Sequence, residues 1–155
     1  MHLASHHYLD EKQIEYQKLE FPESTEKGAA SVAKALGFRE RQMIKTLIFT
    51  TGEGEHVLVM VGGDQSAKSG LLKKAIGSRN IKMATPEAVK ELTGYQVGSI
   101  PPFHWQPAGF RTFIDISLLA EDVLGVGTGQ WGYEIVITPQ NLVKASGAEV
   151  VHLVP

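Results

Sequence analysis

Two charged side chains interrupt runs that are otherwise apolar, and each needs a chemical reason. Lys45 lies inside "MIKTLIF", residues 43–49. An ammonium turned inward is costly to desolvate without a partner, so an inward Lys45 would recognise an anion or a polarised carbonyl. Turned outward on an alternating strand, it would be ordinary. Asp115 lies inside "TFIDI", residues 112–116, and is read either as a carboxylate bonded to nearby backbone N–H groups or as a group that touches substrate. A third stretch, "GGDQSAKS" at 62–69, nearly matches the phosphate-cradling pattern G-x-x-x-x-G-K-[ST]. It carries Ala67 where the second glycine belongs, and a Cβ there disfavours the required backbone approach. The competing reading is a strand-to-helix turn with Lys68 in solvent.

The remaining chemistry is defined by what the chain lacks. It has no cysteine, which removes disulfides, thiolate metal sites and a cysteine nucleophile. His2, His6 and His7 cluster near the start, but no acidic third ligand stands at zinc-site spacing, so no metal is expected. No nucleophile elbow or H-E-x-x-H sequence surrounds His56, His104 or His152. What stands out instead is "TGYQVGSIPPFHW", residues 93–105. Its adjacent prolines remove backbone freedom and N–H donors, and Gly98 permits a positive φ and close approach to the main chain. Such a loop is either a rigid connector or a preorganised wall of a binding pocket.

The elements that must position these residues follow from period and punctuation. A short helix is expected over Leu3–Lys12, a strand over Glu15–Phe21, and a helix capped by Ser24 or Thr25 that runs to Leu36 before Gly37. "QMIKTLIFTT" and "HVLVMV" flank "GEGE" as a hairpin. A helix over "SGLLKKAIG" and a strand over "NIKMA" come next. "TPEAVKELTG" and "TPQNLVKASG" each place Thr, then Pro, at a helix start and Gly beyond its end. Between them come a strand "RTFIDI", a turn "SLLAED" and a hairpin "VLGVGTGQWGYEIVI"; "EVVHLV" closes the chain as a strand. The implied class is α+β: one domain over residues 1–155, with short helices flanking a mixed, barrel-like sheet.

Composition agrees with a packed globule: 155 residues, 43% of them hydrophobic. No apolar run approaches the roughly 20 residues of a membrane span, and the start lacks the basic-then-apolar order of a secretory signal, so a cytoplasmic protein with no membrane partner is expected. The net charge of -2 argues against generic nucleic-acid binding, yet residues 27–82 hold ten basic and four acidic side chains. That local excess of six positive charges can attract a polyanion over about a Debye length of 8 Å; a solvated face is the alternative.

"MIKTLIF", "TGYQVGSIPPF", "FID" and "VGTGQWGYEIVITPQNL", in that order, resemble the YbaK/ProX family of aminoacyl-tRNA deacylases, related to the editing (insertion) domain of bacterial prolyl-tRNA synthetase. The resemblance covers nearly the whole chain. It implies a mixed α/β, barrel-like fold and trans-editing, the hydrolysis of a wrongly attached amino acid from mischarged tRNA. Ala- and Cys-tRNA(Pro) are the leading substrates, the tRNA acceptor end is the partner, a synthetase is a further candidate partner, and no cofactor is needed. Lys45 would be the pocket lysine, Gly98 and Pro102 the glycine and proline of a G-x-x-x-P loop, and Gly127, Thr128 and Gly129 the glycine-rich turn. Catalysis would rest on Lys45 and the main chain at Gly98, while Ser99, Ile100, Pro101, Pro102, Phe103 and Asp115 complete the substrate-binding set. Ile100 and Phe103 would limit side-chain size. Ser99, Pro101 and Gln130-Trp131 depart from the family pattern, the last pair in a turn that is often basic. A non-catalytic tRNA- or synthetase-binding module, and a nucleotide-binding protein using residues 62–69, are the alternatives.

Overall fold

Local punctuation sets most of the helix boundaries in the computed structural model, which describes residues 1–155. The order is α1 (Ala4–Glu11), β1 (Gln17–Glu20), α2 (Ala29–Leu36), β2 (Lys45–Thr51), β3 (His56–Val61), α3 (Ser69–Ile76), β4 (Ile81–Met83), α4 (Pro86–Thr93), β5 (Arg111–Asp115), β6 (Leu124–Gly127), β7 (Tyr133–Ile137), α5 (Pro139–Ser146) and β8 (Glu149–Val151). Single 3₁₀ turns cover Glu40–Gln42 and Ile116–Ala120.

The two helices flagged by Thr-Pro behave alike. The Thr85 hydroxyl accepts from Ala88 N–H at 3.1 Å and that of Thr138 from Asn141 N–H at 3.2 Å. Each helix ends on a left-handed glycine, Gly94 or Gly147, where a side chain would be strained. The expected start of α2 at Ser24 or Thr25 is corrected. Thr25 N–H turns back to Pro22 O at 2.9 Å, and the helix begins only after Gly28, whose φ is 115°.

The strands form two sheets. The larger has the order β4-β2-β3-β5-β8, antiparallel through β4, β2 and β3 and parallel through β3, β5 and β8. The smaller is antiparallel, with β7 between β1 and β6. They meet where Met43 bridges Gly125 and Ile44 N–H donates to Gly125 O at 2.9 Å. The expected mixed α+β fold is present, its sheet divided at this joint.

Side-chain alternation explains why β3 is apolar throughout. Leu58 and Met60 enter the main core of 17 buried residues, while Val57, Val59 and Val61 enter a second core against Leu72 and Ile76 of α3. Successive residues of a strand face opposite sides, so a sheet covered on both faces needs no polar positions at its centre. Asp115, at the end of β5, is fully buried. Its carboxylate accepts from Ser117 N–H at 3.0 Å, the Ser117 hydroxyl, Leu153 N–H at 2.7 Å and Val154 N–H at 3.2 Å. It pins the final residues across the end of the sheet.

Candidate functional site

The first half of β2 has a strand on one side only. β4 pairs with Phe49 to Thr51, leaving Lys45 to Leu47 bordered by a cavity of about 720 Å³ instead of a further strand. Ile44 N–H and Ile48 C=O both turn toward this edge, to Gly125 O and Ala84 N–H respectively. By the two-residue alternation of strand hydrogen bonding, the main-chain groups of Thr46 turn the same way, and Thr46 lines the cavity.

The opposite wall is the loop after α4, where Tyr95 to Ile100 line the space. Gly98 adopts φ 98°, a left-handed conformation that suits glycine. The loop is held from behind. Ile100, Pro101, Pro102 and Phe103 are buried, with Phe103 stacked on Tyr8 at a centroid distance of 5.6 Å. The proline carbonyls are also engaged: Trp105 Nε1–H donates to Pro101 O at 2.6 Å and Gln106 Nε2–H to Pro102 O at 2.8 Å. His104 takes φ 80° and its Nε2 meets the Tyr95 hydroxyl at 2.7 Å.

The third wall is the end of β6 and the turn after it. Gly129 N–H donates to Ser99 O at 2.8 Å. A Cβ on Gly127 would lie 2.9 Å from Ser99 C, and one on Gly129 would lie 2.3 Å from the Tyr95 ring. These glycines let the turn and the loop touch. Thr128 is buried, its hydroxyl donating within the turn and its carbonyl accepting from the Ser5 hydroxyl at 2.8 Å.

Of the residues singled out in the sequence, Lys45, Gly98, Ser99, Ile100, Gly127 and Gly129 therefore share one cavity. Pro101, Pro102, Phe103 and Thr128 stand behind its surface, and Asp115 lies outside it. Phe103 belongs to the main core, so the apolar face it was expected to offer a ligand is spent on packing.

Sequence reasoning passed over several lining residues. Lys27, at the turn before α2, sits 3.7 Å from the Trp131 ring centroid, a cation–π distance. A positive charge from the turn before α2 thus stands against Trp131. With Lys45 and Lys90, three ammonium groups line the cavity, and Glu134 of β7 is its single acid. Glu134 is 8% exposed and its carboxyl makes no hydrogen bond or ion pair within the protein. Burial pushes its carboxyl up to about 8. Its signal in the sequence was the same as that of Lys45 and Asp115, a charge in the apolar run "YEIVI". The Trp131 Nε1–H is buried without a partner.

The stretch at 62–69 is built as a turn. Gly62 N–H donates to the Gln65 side chain at 2.8 Å, Gln65 N–H to Gly62 O at 2.9 Å and Lys68 N–H to Leu153 O at 2.8 Å. Lys68 is exposed. No group of three or more His, Cys, Asp or Glu side chains is arranged to hold a metal, and no helix is long and apolar enough to cross a membrane.

The sequence profile of the family described as "Aminoacyl-tRNA editing domain" matches residues 23–145. The proline–tRNA ligase of Pelobacter propionicus is 32% identical over 125 residues, covering 79% of this chain and 21% of the ligase. That of Maridesulfovibrio salexigens is 38% identical over 90 residues, covering 58% and 15%. The chain thus spans about a fifth or less of the length of these curated relatives. A crystal structure of a protein proposed to be a trans-editing enzyme for prolyl tRNA synthetase superposes with a TM-score of 0.81 at 29% identity, over 90% of this chain and 87% of that one. The hypothetical protein APE2540 gives 0.86 at 27% identity, over 96% and 97%. The cavity between β2, the proline loop and the glycine turn thus lies in a chain that belongs to the aminoacyl-tRNA editing domain family.

Proposed function

We propose that residues 1–155 act as one trans-editing unit that hydrolyses the ester joining a wrongly attached amino acid to tRNA. The observation that carries this reading is the shared cavity of Lys45, the Gly98–Ile100 main chain and the Gly127–Gly129 turn, in a member of the editing family. In the reaction, water adds to the ester carbonyl and the ribose 3′-oxygen leaves as a hydroxyl, releasing the free amino acid. The ester is already activated, and the neighbouring ribose 2′-hydroxyl can orient the water, so orientation and charge stabilisation are the protein's main tasks. The Lys45 ammonium, which makes no hydrogen bond or close ion pair in the protein, would meet the terminal phosphate or the developing oxyanion. The loop main chain would hold the ribose and the acyl group.

The substrate would be the acceptor end of a mischarged tRNA, with tRNA(Pro) carrying Ala or Cys as the first candidates and a prolyl-tRNA synthetase as a candidate partner. The relatives that are proline–tRNA ligases support that choice. A pocket wall separates ligands differing by one methylene by only about 1–3 kcal/mol, so size exclusion by the half-buried loop suits a sieve for small side chains.

Release of labelled amino acid from a panel of mischarged tRNAs tests the proposal, with wild type beside Lys45→Ala. Turnover on at least one tRNA, reduced about 10²–10³-fold in the variant, supports it. Binding of tRNA without turnover across the panel would favour a non-catalytic module. ATP binding abolished by Lys68→Ala, without deacylation, would favour the nucleotide reading, which the internally bonded turn at 62–69 does not support.

A further inference from the structure

Resting on the deacylase reading, we propose that Glu134 is the receptor for the α-ammonium group of the aminoacyl ester, so that the pocket selects a free amino terminus. The geometry singles it out. Glu134 stands opposite Gly127 in the β6–β7 ladder, and a Cβ on neighbouring Gly125 would lie 3.0 Å from its Oε2. Gly125 on the facing strand therefore leaves the carboxyl room, and Gly127, directly opposite Glu134, brings that part of the ladder against the Ser99 and Ile100 main chain of the cavity wall. A carboxyl so deeply buried normally has a protein partner. Arg111, by comparison, is held by Glu55 in a two-point pair at 2.7 and 2.8 Å. Glu134 has none, although Lys45 lines the same space.

Charge complementarity names the ligand group. The cavity carries three lysines and one acid. The end of an aminoacyl-tRNA carries anionic phosphates and a single cation, the α-ammonium. The lysines suit the phosphates; the acid is left for the ammonium. Burial raises the Glu134 pKa and so favours the protonated carboxyl, and an arriving cation would favour its ionised form. The protein thus avoids an isolated buried charge until the ligand supplies the counter-ion.

Two non-hydrolysable probes test this, 3′-alanylamino-3′-deoxyadenosine and its N-acetyl derivative, titrated calorimetrically into wild type and Glu134→Gln. Wild type should prefer the free amine about ten- to hundredfold, the range for a charge-assisted hydrogen bond, and the variant should lose most of that preference. A merely structural role would weaken both probes alike. Wild type alone gives an independent readout: the side-chain carboxyl ¹³C resonance of Glu134 should move to its ionised position with the amine probe and stay put with the acetylated one. Equal affinities for the two probes, or an unmoved resonance, overturns the inference. If wild type deacylates tRNA yet does not discriminate the probes, the inference fails alone. Selective amine binding without hydrolysis on the tRNA panel sinks the catalytic reading instead, and failure to bind either probe sinks both.

Discussion

Replacing Gly127 by alanine tests whether the glycine turn sets the position of the proline loop. Gly127 has an ordinary negative-side backbone, so the substitution brings no conformational penalty of the left-handed kind and acts through space alone. The new methyl would sit 2.9 Å from Ser99 C, 3.0 Å from Ser99 O and 3.2 Å from Ile100 O. Those atoms are backbone, and Ser99 O is held by Gly129 N–H at 2.8 Å, so no side chain can swing away. Relief requires the wall to retreat by about half an ångström, and overpacking of this kind costs about 1–3 kcal/mol. For a chain of this size that lowers the melting temperature by about 2–12 °C. Because a 1 Å misplacement of a positioning group can cost about 10²-fold in rate, deacylation should fall by a comparable factor. Gly98→Ala is the matched control. Its methyl would meet nothing within 4 Å but would sit at φ 98°, so it should cost about 1–2 kcal/mol of conformational energy while leaving the Gly127–Ser99 contact intact. Melting and single-turnover deacylation of both variants decide the matter. A Gly127→Ala protein that melts and turns over like wild type would refute this account of the wall.

Asp115→Ala should destabilise by about 3 kcal/mol or more, because Leu153 and Val154 N–H lose their acceptor in a buried setting; chemical denaturation would measure it, and amide exchange at Leu153 should quicken. Since Asp115 does not line the cavity, KM for the mischarged tRNA substrate should barely move once the variant is folded. His6 gives a pH signature. It is fully buried, its Nδ1 accepts from Leu3 N–H at 2.9 Å, and burial, aided by Lys18 and His2, lowers it to about 4. The unfolded chain takes up that proton near 6.5 and the native protein only near 4, so this contribution is whole above pH 6.5 and is lost as the pH falls toward 4. Within the window the slope should approach about 1.4 kcal/mol per pH unit; thermal melts of wild type and His6→Gln should diverge there, and parallel melts would contradict it.

The sequence by itself determined what short-range physics controls. Thr-Pro starts and glycine ends bounded α4 and α5, β-rich runs on either side of "GEGE" drew β2 and β3, and the charge inside "MIKTLIF" marked Lys45. The same kind of signal misled at α2, where Ser24 and Thr25 had capping side chains but Gly28 turned the backbone. Asp115 and Lys45 were equally visible as charges in apolar strands. Only tertiary pairing separated them, because Asp115 meets the returning end of the chain whereas Lys45 borders the stretch of β2 that β4 leaves unpaired. Glu134, Lys27 and Trp131 became neighbours of Lys45 through the joint at Met43 and Gly125. A cavity is the space left between elements distant in sequence, and no local preference of one segment specifies which residues of another will face it.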